Sequence, residues 1–213
     1  MAEKVKCVIV SGAPNDCGDF LKKNIDGESF VIAADSGYKH LVKAGITPDL
    51  IIADFDSSER PEISSEIIQL PVEKDAGDTF ACVKYAVSQG FKRIEILNAL
   101  GYRFDHSYAN ILCLDYCRKN GVDCCIRDEK NRISLIMSSH TFKKEYDYFS
   151  LFAFLEDCKG VKIEGAYYTS DWYGKSELDI NQGDQFGLGN YVTEKECTVS
   201  LKKGTLLLIE SND

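Results

Sequence analysis

The sequence predicts an N-terminal α/β domain, built on an open parallel sheet of Rossmann-like type, followed by a C-terminal all-β sandwich domain. Three observations predict it. Up to about residue 127, short apolar runs alternate with helix-length amphipathic runs, the texture of strand–helix–strand crossovers. From about Arg132 onward, helical periodicity fades and short β-rich runs separated by turn residues take over. The unusual polar clusters of the first part all stand where an apolar run ends, at the edge where open α/β sheets bind ligands. The boundary falls within 128–145 and is drawn at 135, giving domains 1–135 and 136–213.

In the first domain the strand-like runs are Val5–Val10, Phe30–Ala34, Leu50–Ala53, Arg93–Leu97 and Val122–Ile126, with a weaker run at Ile68–Val72. Helices are expected to begin near Asp16, Gly37, Asp78 and Asp105. Gly45, Gly90 and Gly121 each follow a helical pattern where a left-handed residue is wanted, and Pro48 blocks continuation of the second helix. In the second domain the strand-like runs are Ile133–Met137, Tyr148–Phe154, Lys159–Ile163, Thr198–Leu201 and Thr205–Ile209. Asn181-Gln182-Gly183-Asp184 and Lys202-Lys203-Gly204 read as turns between them.

Bulk properties exclude several function classes. With 213 residues and 44% hydrophobic content, the chain can fill a sizeable core. Its net charge of −9, with no basic run longer than two residues, disfavours binding to nucleic acid or to anionic membranes. No apolar stretch approaches the roughly 20 residues that span a bilayer. The N-terminus carries no signal-peptide pattern, and the nine cysteines are odd in number and lack repeated C-x-x-C pairs. They read as reduced, buried thiols of a cytoplasmic protein.

The candidate chemistry lies at the strand ends. Asp54-Phe55-Asp56-Ser57 closes one apolar run, and Lys74-Asp75-Ala76-Gly77-Asp78 opens a helix. Asp54 and Asp56 are two apart, so on extended backbone they share a side. Two close carboxylates repel unless a cation or proton intervenes, and Mg²⁺ prefers one or two carboxylates plus phosphate oxygens and water. The alternative is an acidic loop in which Asp56 or Ser57 caps a helix. Asp78 is a candidate N-cap for the helix running to Gln89, which is compatible with metal binding. Lys74 is either solvated or a phosphate ligand. Arg103 could grip phosphate by its fork of N–H donors. Asp105 could orient Arg103, hold substrate or cap the helix, and His106 is a proton carrier or a structural residue at the helix start. His40 and His140 show no partner pattern. There is no P-loop and no G-x-G-x-x-G fingerprint.

Taken together, these motifs resemble one family. Ala34-Asp35-Ser36-Gly37, Pro48-Asp49, Ala53-Asp54-Phe55-Asp56-Ser57, Lys74-Asp75-x-x-Asp78 and Gly101-x-Arg103-x-Asp105-His106-x-x-Ala109-Asn110 are similar, in order and spacing, to thiamine pyrophosphokinases. Phe186-Gly187-Leu188-Gly189-Asn190 followed by Val199–Gly204 resembles the closing segment of that family. The resemblance implies an enzyme that takes ATP and thiamine and makes thiamine diphosphate and AMP. It implies a catalytic, nucleotide-binding α/β domain, and a β-sandwich domain serving thiamine binding and dimerisation. The expected state is a homodimer, with thiamine between the α/β domain of one subunit and the β domain of the other. By the same resemblance, Asp54, Asp56, Asp75 and Asp78 are catalytic, with Asp54, Asp56 and Asp78 holding Mg²⁺. Asp35, Lys74, Arg103 and Asp105 serve the nucleotide, and His106 and Asn190 serve thiamine, Asn190 coming from the partner subunit. Trp172 and Tyr168 are candidates to stack on the pyrimidine ring. The chain departs from the family pattern at Ser36, Gly77, Tyr102 and Gly189, none of which is a metal carboxylate.

Overall fold

The computed structural model describes residues 6–55, 61–71, 77–101, 103–185 and 187–213. The chain divides into two compact units, 1–129 and 130–213, so the division falls in the turn ahead of position 135.

The first unit contains β1 (Lys6–Val10), α1 (Gly18–Asn24), β2 (Phe30–Ala34), α2 (Gly37–Lys43), β3 (Leu50–Ala53), β4 (Glu66–Gln69), α3 (Asp78–Ser88), β5 (Arg93–Leu97), α4 (Phe104–Lys119) and β6 (Asp123–Arg127). The strands lie in the order β4-β3-β2-β1-β5-β6, every pair parallel. Continuous apolar runs suit these strands because both faces are covered. On one face Val8, Val10, Val31, Ala33, Ile51, Ala53 and Leu97 form a core with Leu21 of α1 and Leu41 of α2. The alternating residues Ile9, Ile32, Ile52, Ile94 and Ile96 are also buried, and α3 packs against β1, β2 and β3. Each isoleucine taken fully out of water contributes about 1.5–3 kcal/mol. A charge is buried on the opposite face of β5 from Ile94 and Ile96: Glu95, which pairs beside Val8, is 2% exposed. Arg93, Lys6 and Arg127 offset it at 2.8, 3.3 and 3.7 Å.

Most first-unit elements stand where the sequence predicts them. β4 is the exception: it spans Glu66–Gln69 rather than Ile68–Val72. Asp78 is the first residue of α3, and Gly77 is its N-cap, in extended conformation. Asp78 therefore sits in the first turn, where the helix dipole favours negative charge.

Gly37, at the start of α2, is required by close packing. A Cβ there would lie 2.1 Å from the backbone oxygen of Val10. Gly37→Ala is expected to cost about 1–3 kcal/mol of stability, read as a lower urea midpoint. Gly18, whose Cβ direction is open, serves as the neutral control.

The second unit contains β7 (Asn131–Ile136), β8 (Ser139–Phe142), β9 (Tyr148–Ala153), β10 (Cys158–Glu164), β11 (Leu178–Ile180), β12 (Cys197–Ser200) and β13 (Leu206–Ser211). One antiparallel sheet runs β7-β13-β9, and the other β11-β10-β12-β8. Ile136, Leu151, Leu206 and Leu208 from the first share a core with Val161, Ile163, Leu178, Ile180 and Val199 from the second. That shared core is the signature of a sandwich. The predicted architecture, an α/β unit followed by a β-sandwich, is the observed one. β8 and β11 are additions to the strands read from the sequence.

Candidate active site

Because all strands of the first unit are parallel, their carboxyl ends share one edge. From β1 the chain builds outward through β2, β3 and β4, then returns to place β5 on the other side of β1. The β1/β5 junction is thus the switch point, where the loops after adjacent strands diverge and leave a crevice.

A cavity of about 580 Å³ opens at this edge. Its lining includes Ser11–Pro14 after β1, Asp35 after β2, Gly77, Asp78 and Thr79 at the start of α3, and Gly101, Arg103, Asp105, His106 and Asn110 around the start of α4. Five predicted site residues, Asp35, Asp78, Arg103, Asp105 and His106, therefore converge on one cavity. Asp54 stands half-buried just past the end of β3 and does not line it. Asp56, Lys74 and Asp75, with Ser57 and Tyr102, lie outside the described residues. Asn190 belongs to the second unit.

Asp35 is the most unusual of the five. Its φ of 46° places a non-glycine residue in the left-handed region. Its backbone N–H donates to Ile52 at 3.0 Å. Its Oδ1 is buried and has no hydrogen-bond partner among the described residues. A buried carboxylate oxygen facing this edge calls for a cation or a donor.

Arg103 is the N-cap residue of α4, and Asp105 lies in the first turn. Arg103 forks onto Asp105, with Nε 3.2 Å from Oδ1 and Nη2 on Oδ2. This pairing holds the Asp105 carboxyl below its ordinary range. Cys82, one turn beyond Asp78, is pushed well up, first by burial and then by the Asp78 charge. It is a neutral thiol and supplies no nucleophile.

The loops that carry these groups are tied together by residues to which the sequence reading assigned no role. Ser11 and Thr79 share a buried hydroxyl hydrogen bond of 2.8 Å. Ser107 Oγ accepts from the Gly101 N–H at 3.0 Å, and Asn110 Nδ2 donates to the Ala99 carbonyl at 2.8 Å. Asn98 bonds to the loop after β1 at several points. The amide and hydroxyl side chains were visible in the sequence. Their partners, up to 87 positions away, were not.

His40 of α2 hydrogen-bonds the backbone of Ala13 in that same loop. Burial and then the Lys43 charge hold its pKa below the ordinary 6.5, against smaller opposing effects of Ala13 and Asp16. As pH falls through 6.5 the unfolded chain takes up its proton first, so stability falls toward acid. The urea midpoint should drop between about pH 7 and pH 5, and His40→Gln should flatten that slope. An unchanged slope in the variant would refute this role for His40.

Among the described residues, no three His, Cys, Asp or Glu side chains gather closely enough to hold a metal. The available donors are nonetheless hard carboxylate oxygens, and Mg²⁺ needs only one or two of them beside phosphate and water. With the orphaned Asp35 oxygen at the same edge, the donor set fits that ion.

In the second unit, Tyr167, Tyr168, Trp172 and Tyr191 form one aromatic cluster. Tyr167 stacks on Tyr191 at 4.9 Å between ring centroids, and Trp172 meets Tyr168 edge-on at 5.3 Å. Trp172 is 59% exposed. Asn190 is buried beneath: its Oδ1 accepts from the N–H groups of Tyr168 and Tyr191, and its Nδ2 donates to the Tyr168 carbonyl. Its side chain holds the cluster in place.

Residues 21–126 match the family model described as thiamin pyrophosphokinase, catalytic domain. No curated protein matches the chain significantly. Among solved structures, thiamine pyrophosphokinase from Bacillus subtilis superimposes with a TM-score of 0.87 at 25% identity, over 98% of this chain and 99% of that one. Thiamin pyrophosphokinase from Geobacillus thermodenitrificans gives 0.85 at 24% identity, over 98% of each chain. The Candida albicans enzyme shares the fold at 14% identity and a TM-score of 0.69, over 97% of this chain and 89% of that one. With residues 21–126 matching the family model and the structural likeness extending over both units, the chain belongs to the thiamin pyrophosphokinase family.

Proposed function

We infer that the chain is an ATP-dependent diphosphotransferase that passes a diphosphate group from ATP to the primary hydroxyl of thiamine, yielding thiamine diphosphate and AMP. The observation that carries this is the single cavity uniting Asp35, Asp78, Arg103, Asp105 and His106 in a chain of this family.

The hydroxyl oxygen of thiamine attacks the β-phosphorus in line. A bond forms between that oxygen and Pβ, the bond from Pβ to the oxygen bridging it to Pα breaks, and AMP leaves with the bridging oxygen. The hydroxyl proton passes to Asp75 or Asp78. Little covalent chemistry is asked of the protein, so positioning and charge neutralisation supply the acceleration. Asp54, Asp56 and Asp78 would hold Mg²⁺, which when bound neutralises phosphate charge. Asp35, Lys74, Arg103 and Asp105 serve the nucleotide, and Arg103 and Lys74 offset its remaining negative charge. His106 serves thiamine.

In the second unit, the exposed ring of Trp172 and its tyrosine neighbours suit a flat cationic heterocycle. Asn190 serves thiamine by fixing that surface. Two copies of the chain associate as a homodimer, as the family resemblance implies. The nine free, buried thiols suit a reducing compartment, which supports a cytoplasmic location, and among the described residues no helix is long and apolar enough to cross a membrane.

The test is AMP release from ATP and Mg²⁺ with and without thiamine, followed by chromatography of the products. Thiamine-dependent AMP with matching thiamine diphosphate is the expected result. AMP released with a hydroxymethyl pterin but not with thiamine would reassign the acceptor. Tight nucleotide binding with no AMP from any acceptor would make the chain a sensor.

A further inference from the structure

We propose that Asn98 is a positioning residue for the nucleotide, acting through the loop Ser11–Pro14 that it holds against the cavity. The inference rests on the nucleotide reading of that cavity and assigns the loop to the ATP side of the reaction.

Asn98 follows the last residue of β5 and is 1% exposed. Its φ of 53° is left-handed, a conformation that asparagine tolerates better than most side chains. Every polar group of the residue is used. Nδ2 donates to the carbonyls of Ser11 at 3.1 Å and Ala13 at 2.8 Å. Oδ1 accepts from Asn15 Nδ2 at 3.2 Å. Its backbone carbonyl accepts from the Ala13 N–H, and its own N–H donates to the Arg127 carbonyl, both at 3.2 Å. Both backbone groups of Ala13 thus end on Asn98. Asn15 adds a bond to the Leu100 carbonyl at 2.8 Å, joining the loop after β1 to the loop after β5 a second time.

The held loop cannot hold itself. Gly12, Ala13 and Pro14 have no side chain that bonds; Ser11 is anchored at the start of the loop by its hydroxyl to Thr79 and its N–H to Leu97, and beyond it the Asn15 N–H and His40 join Asn98 on the Ala13 backbone. Yet the four residues Ser11–Pro14 line the same cavity as Asp35, Arg103 and Asp105, the residues that serve the nucleotide. A loop without charge contributes shape and backbone groups at close approach, so its placement decides its value. Asn98 sets that placement from the strand where the topology switches.

The test uses three variants of the full chain. Asn98→Gly keeps the left-handed backbone and deletes the amide. Asn98→Asp keeps the shape and removes both donors. Asn15→Ala leaves Asn98 in place and removes one partner. ATP affinity is measured by calorimetry, and KM for ATP and for thiamine by AMP release. The expected result is about tenfold weaker ATP binding in both Asn98 variants, with KM for thiamine within about twofold of the parent and a smaller ATP effect for Asn15→Ala. Variants that unfold more readily but bind ATP normally would overturn the proposal, as would equal losses for ATP and thiamine. If the Asn98 variants do not fold, Asn15→Ala decides: selective weakening of ATP supports the proposal, and unchanged ATP affinity sinks it. A parent chain that binds ATP but releases no AMP, with the tenfold effect in the variants, leaves Asn98 standing and overturns the diphosphotransferase. A parent that binds no ATP overturns both.

Discussion

Asp78→Asn is expected to lower kcat by about 10²–10³-fold while the chain stays folded. The substitution preserves shape and removes charge. Asp78 is half-buried in the first turn of α3, at the cavity wall. Its structural contribution there is the attraction of a carboxylate to a helix N-terminus, about 0.3–1 kcal/mol, too little to unfold the unit. In the proposed function its catalytic contribution would be larger, because a charge beside a metal–phosphate centre acts with less screening than one in bulk water. The diagnostic arm is nucleotide binding with and without Mg²⁺. If Asp78 helps to hold the ion, the variant loses the Mg²⁺-dependent part of ATP affinity and keeps the rest. Near-normal turnover would remove Asp78 from the centre. The same comparison applied to Asp54→Asn, one strand further out, shows whether that carboxylate reaches the metal although it does not line the cavity.

The parts of this site that the sequence made legible share a physical property: they are local. β1, β2 and β3 are buried on both faces, so each reads as an apolar run, and the polar clusters downstream of the strands mark the functional edge. Asp35, Asp78 and Arg103 could be found in this way. β4 was misplaced because it is an edge strand with its outer residues exposed, which leaves only Ile67 and Ile68 as signal. β8 and β11 were missed for a related reason. They are the two edges of the four-stranded sheet, and sequences such as Ser139-His140-Thr141-Phe142 are short and polar, as edges that avoid pairing with other chains tend to be. Asn98 illustrates the other limit. A single asparagine after a strand is unremarkable in sequence, and its role exists only once the fold brings Ser11 and Ala13 to it. Asn190 shows that a motif can be read in the sequence while the bonds of its side chain cannot. Its amide bonds the backbone of Tyr168 under the aromatic cluster.

Arg103→Lys should lower kcat/KM for ATP by about tenfold or more, and Arg103→Ala by more still, with no measurable change in unfolding midpoint. The reasoning begins with exposure. The side chains of Arg103 and Asp105 are 70% and 64% exposed, and an ion pair so open to solvent adds little to folding. What the pair does is fix a direction. Asp105 holds two donors on one edge of the guanidinium, which leaves the remaining N–H donors presented at a cavity mouth that no other described lysine or arginine lines. A lysine keeps the charge and loses the fork, so it can neutralise phosphate but cannot be oriented by Asp105 while gripping it. Because Asp105 is held below the ordinary carboxylate range, it stays ionised throughout neutral pH. The arrangement therefore needs no activation by pH, and the defect of Arg103→Lys should be the same at pH 6 and pH 8. Asp105→Asn separates orientation from charge. It leaves the guanidinium cationic but weakens its hold, so it should reproduce most of the lysine defect, and the double variant Arg103→Lys/Asp105→Asn should be little worse than either alone. Fully additive losses would mean that the two residues serve the nucleotide independently, and the fork would then be an exposed ion pair without a positioning role.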